Sequence, residues 1–150
     1  MGKRLVALLC ASLVVAGAQA AHAQGARTFT VRLSPLPVDG PPMMATIAGL
    51  GAATASLAGN RLTIEGTFQG LKSPATQLKL YRGLRGVRGA AVRDLPAPPS
   101  AVSGKFSASV ELSASQVEDL NQSRLYLQLH SEKAPDGNLW GWLLPQENKR

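Results

Sequence analysis

Trp140 and Trp142, the arginines Arg82, Arg85 and Arg88, and His130 are the side chains in this sequence whose types and spacing suit them for binding or catalysis. The two indoles stand two residues apart, so on a strand they share one face while Leu139 and Leu143 take the other. With the leucines inward, both indoles point outward, close to Tyr126, Gln128 and His130 on the preceding strand, because cross-strand neighbours lie side by side. An open aromatic shelf of this kind marks a binding surface. If the proline-rich segment Ser34–Met43 or the segment Gly83–Gly104 folds over it, the same residues form a second small core instead. The pattern leaves both readings standing, and the functional expectation below takes the open shelf.

Arg82, Arg85 and Arg88 recur at a spacing of three in RGLRGVRGA, separated by glycines that let backbone approach a ligand. Guanidinium groups on such a loop suit a carboxylate or phosphate. The plainer reading is a solvated loop whose charges keep the protein soluble. His130 with Glu132 or Asp136 has the parts of a general base and its orienting group, against the simpler view of a histidine on an outward strand face. The sequence contains no nucleophile elbow and no phosphate loop. Its one adjacent acidic pair, Glu118-Asp119, lies on a helix where neighbours point apart, and reads as a solvated face. No catalytic residues, no metal and no cofactor are expected.

Short strands must position these groups. In GAATASLAGNRLTIEGTF, residues 51–68, two alternating arms flank Gly59-Asn60, a pair suited to a two-residue hairpin turn. Thr28–Leu33, Thr76–Arg82, Lys105–Leu112, Arg124–Ser131 and Asn138–Leu144 alternate in the same way. Leu78 and Leu80 face one way on their strand, Lys79 and Tyr81 the other. Ser34–Met43 carries four prolines and reads as a loop, as does Gly83–Gly104. Ser113 and Gln116 form a capping-box pattern that opens a short helix ending near Ser123, with Val117 and Leu120 on one side. Ala134-Pro135-Asp136-Gly137 reads as a turn. About seven strands and one helix predict an antiparallel, Greek-key-like β-sandwich, with a closed barrel as the runner-up.

The first 23 residues read as a cleaved signal peptide: Lys3 and Arg4, an apolar run from Leu5 to Gly17, then Ala18-Gln19-Ala20 and Ala21-His22-Ala23. That leaves residues 24–150 as a single domain, long enough to form a core without staples. The sole cysteine, Cys10, leaves with the leader, so the mature chain has no disulfide and no thiolate. An exported domain of this kind is expected in a bacterial periplasm or outside the cell, with no transmembrane segment after cleavage. Losing Lys3 and Arg4 lowers the net charge of +7 by two. That modest excess favours solubility and weak attraction to anionic surfaces. Nucleic acid is not expected as a partner, because no basic helix or recognition module is present.

An ordered set of residues resembles the CHRD (chordin) domain: Gly40-Pro41-Pro42, Gly59-Asn60, Gly66-Thr67-Phe68 with Gly70-Leu71, and Ser73-Pro74-Ala75-Thr76. Ser103-Gly104, Phe106, Leu112, Gln116, Leu120, Leu125-Tyr126, His130-Ser131, Pro135, Gly137 and Gly141 continue it to about Leu143. The resemblance implies an immunoglobulin-like or superoxide-dismutase-like sandwich. It also implies a secreted module, found in animals within a growth-factor antagonist and in bacteria within exported proteins. Members commonly carry a His-x-His pair after Ser-Pro-Ala-Thr, which with the later histidine is similar to a copper-binding dismutase arrangement. Here those positions are Lys79 and Tyr81, and a lysine ammonium repels a metal that neutral imidazoles would bind.

The expectation is therefore a non-catalytic exported module that recognises a protein partner or small ligand through Tyr126, His130, Trp140 and Trp142, aided by Arg82, Arg85 and Arg88. Two alternatives stand beside it: a metal-binding or dismutase-like protein with a degenerate histidine site, and an electrostatic binder of an anionic polymer or membrane surface.

Overall fold

The computed structural model describes residues 25–146, so the signal peptide read at residues 1–23 lies outside the described residues. Alternation of apolar and polar side chains is realised in antiparallel strands throughout. These are β1 (Arg27–Pro35), β2 (Leu50–Ala58), β3 (Arg61–Gln69), β4 (Ala75–Arg82), β5 (Ala90–Asp94), β6 (Gly104–Glu111), β7 (Leu125–Ser131), β8 (Ala134–Trp142) and β9 (Leu144–Pro145). Helices α1 (Pro41–Met44) and α2 (Ala114–Asn121) complete the chain.

The strands follow the order β5-β4-β7-β8-β1-β2-β3-β6, with β9 also on β1. The path curls into two layers that share β1. Arg27–Leu33 of that strand pairs with β2, whereas Ser34 and Pro35 pair with Trp140 and Leu139 of β8. Between the layers lies a single large core. Phe29, Val31, Leu33, Leu57, Leu62, Ile64 and Phe68 come from one side, and Leu78, Leu80, Leu125, Leu127, Leu129, Leu139 and Leu143 from the other. The sandwich predicted from the sequence is the fold observed.

The hairpin forms as read: Gly59 takes φ +61°, and Leu57 pairs with Leu62 across it. Helix α2 starts with the full capping box, Ser113 and Gln116 each satisfying the other's backbone N–H. Its Leu120 is buried and Val117 packs partly against the core.

Three local expectations are corrected. Gly83–Gly104 is not loop throughout, because Ala90–Asp94 pairs with β4 as an edge strand. Ala134–Gly137 is not a turn but the start of β8; Glu132 and Lys133 turn instead, and Ala134 pairs with Ser131. The proline-rich segment is only partly irregular, since β1 runs on to Pro35 and Pro41 and Pro42 open α1, where a missing N–H costs nothing.

Candidate functional site

Parity places the aromatic residues as expected, on the face of β4, β7 and β8 that turns away from the leucine core. Tyr81 lies opposite Tyr126, and Tyr126 opposite Trp142; one row along, Gln128 lies opposite Trp140. The rings form one continuous stack. Tyr81 and Tyr126 are 5.2 Å apart and nearly parallel, Tyr126 and Trp142 are 4.6 Å apart, and Trp140 and Trp142 meet edge-on at 4.8 Å. His130 closes the far end, 6.1 Å from Tyr81.

The stack is not an open shelf. Tyr126 is 1 %, His130 5 % and Trp140 7 % exposed, and only Tyr81 and Trp142 are half-buried. Two segments roof it. Leu36, fixed by its N–H to the Asn138 carbonyl at 3.0 Å, packs on Tyr126 and Trp140. The loop Gly83–Gly89 crosses the other end. There the Trp142 Nε1–H donates to the Gly83 carbonyl at 3.1 Å, and the Gly89 N–H donates to the Tyr126 hydroxyl at 2.9 Å. Of the two readings the sequence left standing, the open shelf is overturned and the covered one is realised: outward from the leucine core means into a second, smaller core. Enclosing these rings removes apolar surface from water while both polar handles find partners.

His130 is likewise buried, not an exposed strand histidine. Its Nδ1 lies 2.8 Å from the Pro135 carbonyl, which only accepts, so the proton sits on Nδ1. Nε2 therefore accepts, taking the Tyr81 hydroxyl at 3.2 Å. Gln128 donates to the Asp136 carbonyl at 3.0 Å and turns its amide toward the same Nε2 at 3.4 Å. Burial pushes the imidazole below its ordinary value of 6.5 and Lys79 adds to this, while the Pro135 hydrogen bond and Asp136 oppose it. Burial likewise raises the Tyr81 phenol.

A stability consequence follows. Below pH 6.5 the unfolded chain takes up a proton at His130 that the folded ring refuses, so stability falls as the pH drops from 6.5 through the depressed folded value. Urea titrations across that interval should show the loss in wild type and a flatter profile in His130→Gln. Equal slopes would remove His130 as its source.

The arginines do not converge. Arg82, on β4, pairs its Nε with the Asp119 carboxylate at 2.7 Å. Asp119 is 7 % exposed, so the solvated-pair reading of Glu118-Asp119 holds only for Glu118. Arg88 reaches the Asp136 carbonyl at 3.4 Å, and Arg85 stands at the loop tip in solvent. Arg82 is therefore a structural ion pair, and a three-guanidinium clamp does not form.

Tyr81, Leu36 and the loop carbonyl of Gly83 belong to the site beyond the expected residues, and Gln128, expected beside the indoles, joins it through His130 and the Asp136 carbonyl. The signal for Tyr81 was present: it shares a face with Lys79, and β4 had to pair somewhere. Leu36 lies in the proline-rich segment named as one cover, but without alternation nothing singles it out from its neighbours.

Lys79 and Tyr81 do lie beside His130, as the resemblance implied for the His-x-His positions. They do not fit a copper site. The Lys79 ammonium pairs with Asp94 at 3.2 Å, and the Tyr81 hydroxyl takes up the imidazole lone pair. Among the described residues no three His, Cys, Asp or Glu side chains cluster as a metal site would need.

The molecule so defined is an antiparallel β-sandwich with a roofed aromatic layer on one outer face. The CHRD domain family model matches residues 6–143, and the chain belongs to that family. No curated protein and no solved structure matches it. Among the described residues no helix is long and apolar enough to cross a membrane.

Proposed function

We propose that the protein is an exported, non-catalytic binding module of CHRD type that works in the periplasm or outside the cell. It engages its partner or ligand with the loop Gly83–Gly89 and the half-buried rim of Tyr81 and Trp142, not with the strand face itself. One observation carries this reading. The rings beneath the loop hold it at both ends, through Trp142 to Gly83 and Tyr126 to Gly89. A loop that a buried and a half-buried aromatic residue pin in place loses little further freedom on binding, which is how preorganisation raises affinity.

A photo-crosslinking side chain placed at position 85 tests this in the exporting cell, with position 54 on the outer face of the opposite layer as the control. Adducts to protein or to lipid that are enriched at 85 over 54 are expected; equal yields of both kinds at the two positions would sink the loop as the binding surface. Metal analysis of the purified chain separates the dismutase-like alternative, which requires a stoichiometric transition metal.

A further inference from the structure

The tip of the Gly83–Gly89 loop exposes two large apolar side chains that nothing in the fold requires to be there. Leu84 is 61 % and Val87 54 % exposed, and the Val87 N–H closes a turn on the Leu84 carbonyl at 2.9 Å. Arg85 sits between them and Arg88 follows, both exposed. From Arg82 to Arg93 the sequence has no acidic residue, and the next one, Asp94, is paired with Lys79. The result is an exposed basic and apolar tip, anchored at both ends and closed by a turn.

We infer that this tip docks on the surface of an anionic phospholipid bilayer, with Leu84 and Val87 entering the headgroup–acyl boundary and Arg85 and Arg88 meeting lipid phosphates. The inference rests on the loop being the binding surface and narrows what it binds. Charge complementarity favours an anionic target, and the paired apolar side chains decide which kind. A soluble polyanion would engage the guanidiniums and leave Leu84 and Val87 in water. A specific protein interface takes roughly 800 Å² from each partner, more than a four-residue turn supplies. A bilayer interface accepts small apolar insertions beneath cationic groups.

The test uses the processed chain, free of the apolar N-terminal segment that would itself bind lipid. Co-sedimentation is measured with equimolar phosphatidylcholine/phosphatidylglycerol vesicles and with phosphatidylcholine alone. Partition to the anionic vesicles, weakening as salt rises, is expected. Arg85→Ser and Arg88→Ser should each lower it roughly five-fold at low salt. Leu84→Ser/Val87→Ser should lower it by roughly ten-fold, with more of the loss persisting at moderate salt. All four positions are exposed, and circular dichroism confirms that the variants fold. Binding to soluble polyglutamate without vesicle binding would overturn the membrane assignment and leave the loop as the binding surface. Vesicle binding indifferent to Leu84 and Val87 would overturn insertion. Partition unchanged in every variant would overturn the loop reading as well.

Discussion

Trp140→Ala should lower the unfolding free energy by about 3–5 kcal/mol, the range for truncating a large buried aromatic side chain. Trp140 is 7 % exposed, edge-on to both Tyr126 and Trp142, and covered by Leu36. Removing it leaves a void that the pinned strands β7 and β8 cannot close. It also strips one wall from the rings that hold the Gly83–Gly89 loop. Domains have about 5–15 kcal/mol of stability in total, so the variant should unfold at a much lower urea concentration with an unchanged slope. Trp142→Ala should cost less, because half-buried surface has less to lose. Acrylamide quenching adds an independent check: emission from Trp140 should resist the quencher in wild type. A Trp140→Ala variant as stable as wild type, with freely quenched emission in the parent, would restore the open shelf.

Gly141→Ala should cost about 3 kcal/mol, the upper part of the range for overpacking. Gly141 lies on β8 where that strand passes β1, and it pairs with Leu127 across the sheet. A Cβ built there overlaps the Arg32 carbonyl oxygen and crowds the Val31 side chain. Backbone oxygen in a paired strand has nowhere to go, so β8 and β1 must part. Gly59→Ala is the contrasting case. It meets open space but must hold φ +61°, which costs an alanine about 1–2 kcal/mol. Thermal or urea unfolding of both variants should rank Gly141→Ala as the more damaging. The reverse order would mean that the approach of β8 to β1 is loose.

Period-two alternation made the core legible because each strand has one wet and one dry face, and inward leucines on β4 and β7 could be read directly. Parity also put Tyr126, His130, Trp140 and Trp142 on the correct side. It could not say that this side is dry as well. Alternation reports two different environments, and an aromatic outer layer under a loop resembles an aromatic outer layer in solvent. The two covering segments could be named from the sequence but not chosen, for a related reason: Leu36 and the glycine-rich loop act through single contacts that leave no repeat. Strand β5 was missed because AAVRD sends only Val92 toward the core and is exposed elsewhere, so it carries no inward row. Asp119 was misassigned because a carboxylate's burial depends on its partner, and Arg82 comes from a strand 37 residues earlier in the chain. The His130 partners were partly within reach, since Gln128 and Tyr81 followed from strand pairing, but the Pro135 carbonyl required β8 to begin at Ala134 rather than after a turn.

The seam strand has a bearing on assembly. β1 finds some of its ladder in β2, nearby in sequence, yet Ser34 and Pro35 pair with Trp140 and Leu139, and Phe29 and Thr30 with Pro145 and Leu144. Those contacts span roughly a hundred residues, a separation that slows folding because loop closure precedes any reward. An incomplete chain therefore lacks the stitches that join its two layers. A polypeptide threaded through a translocation pore N-terminus first would stay pliable until nearly its whole length had crossed, and would then lock in one step.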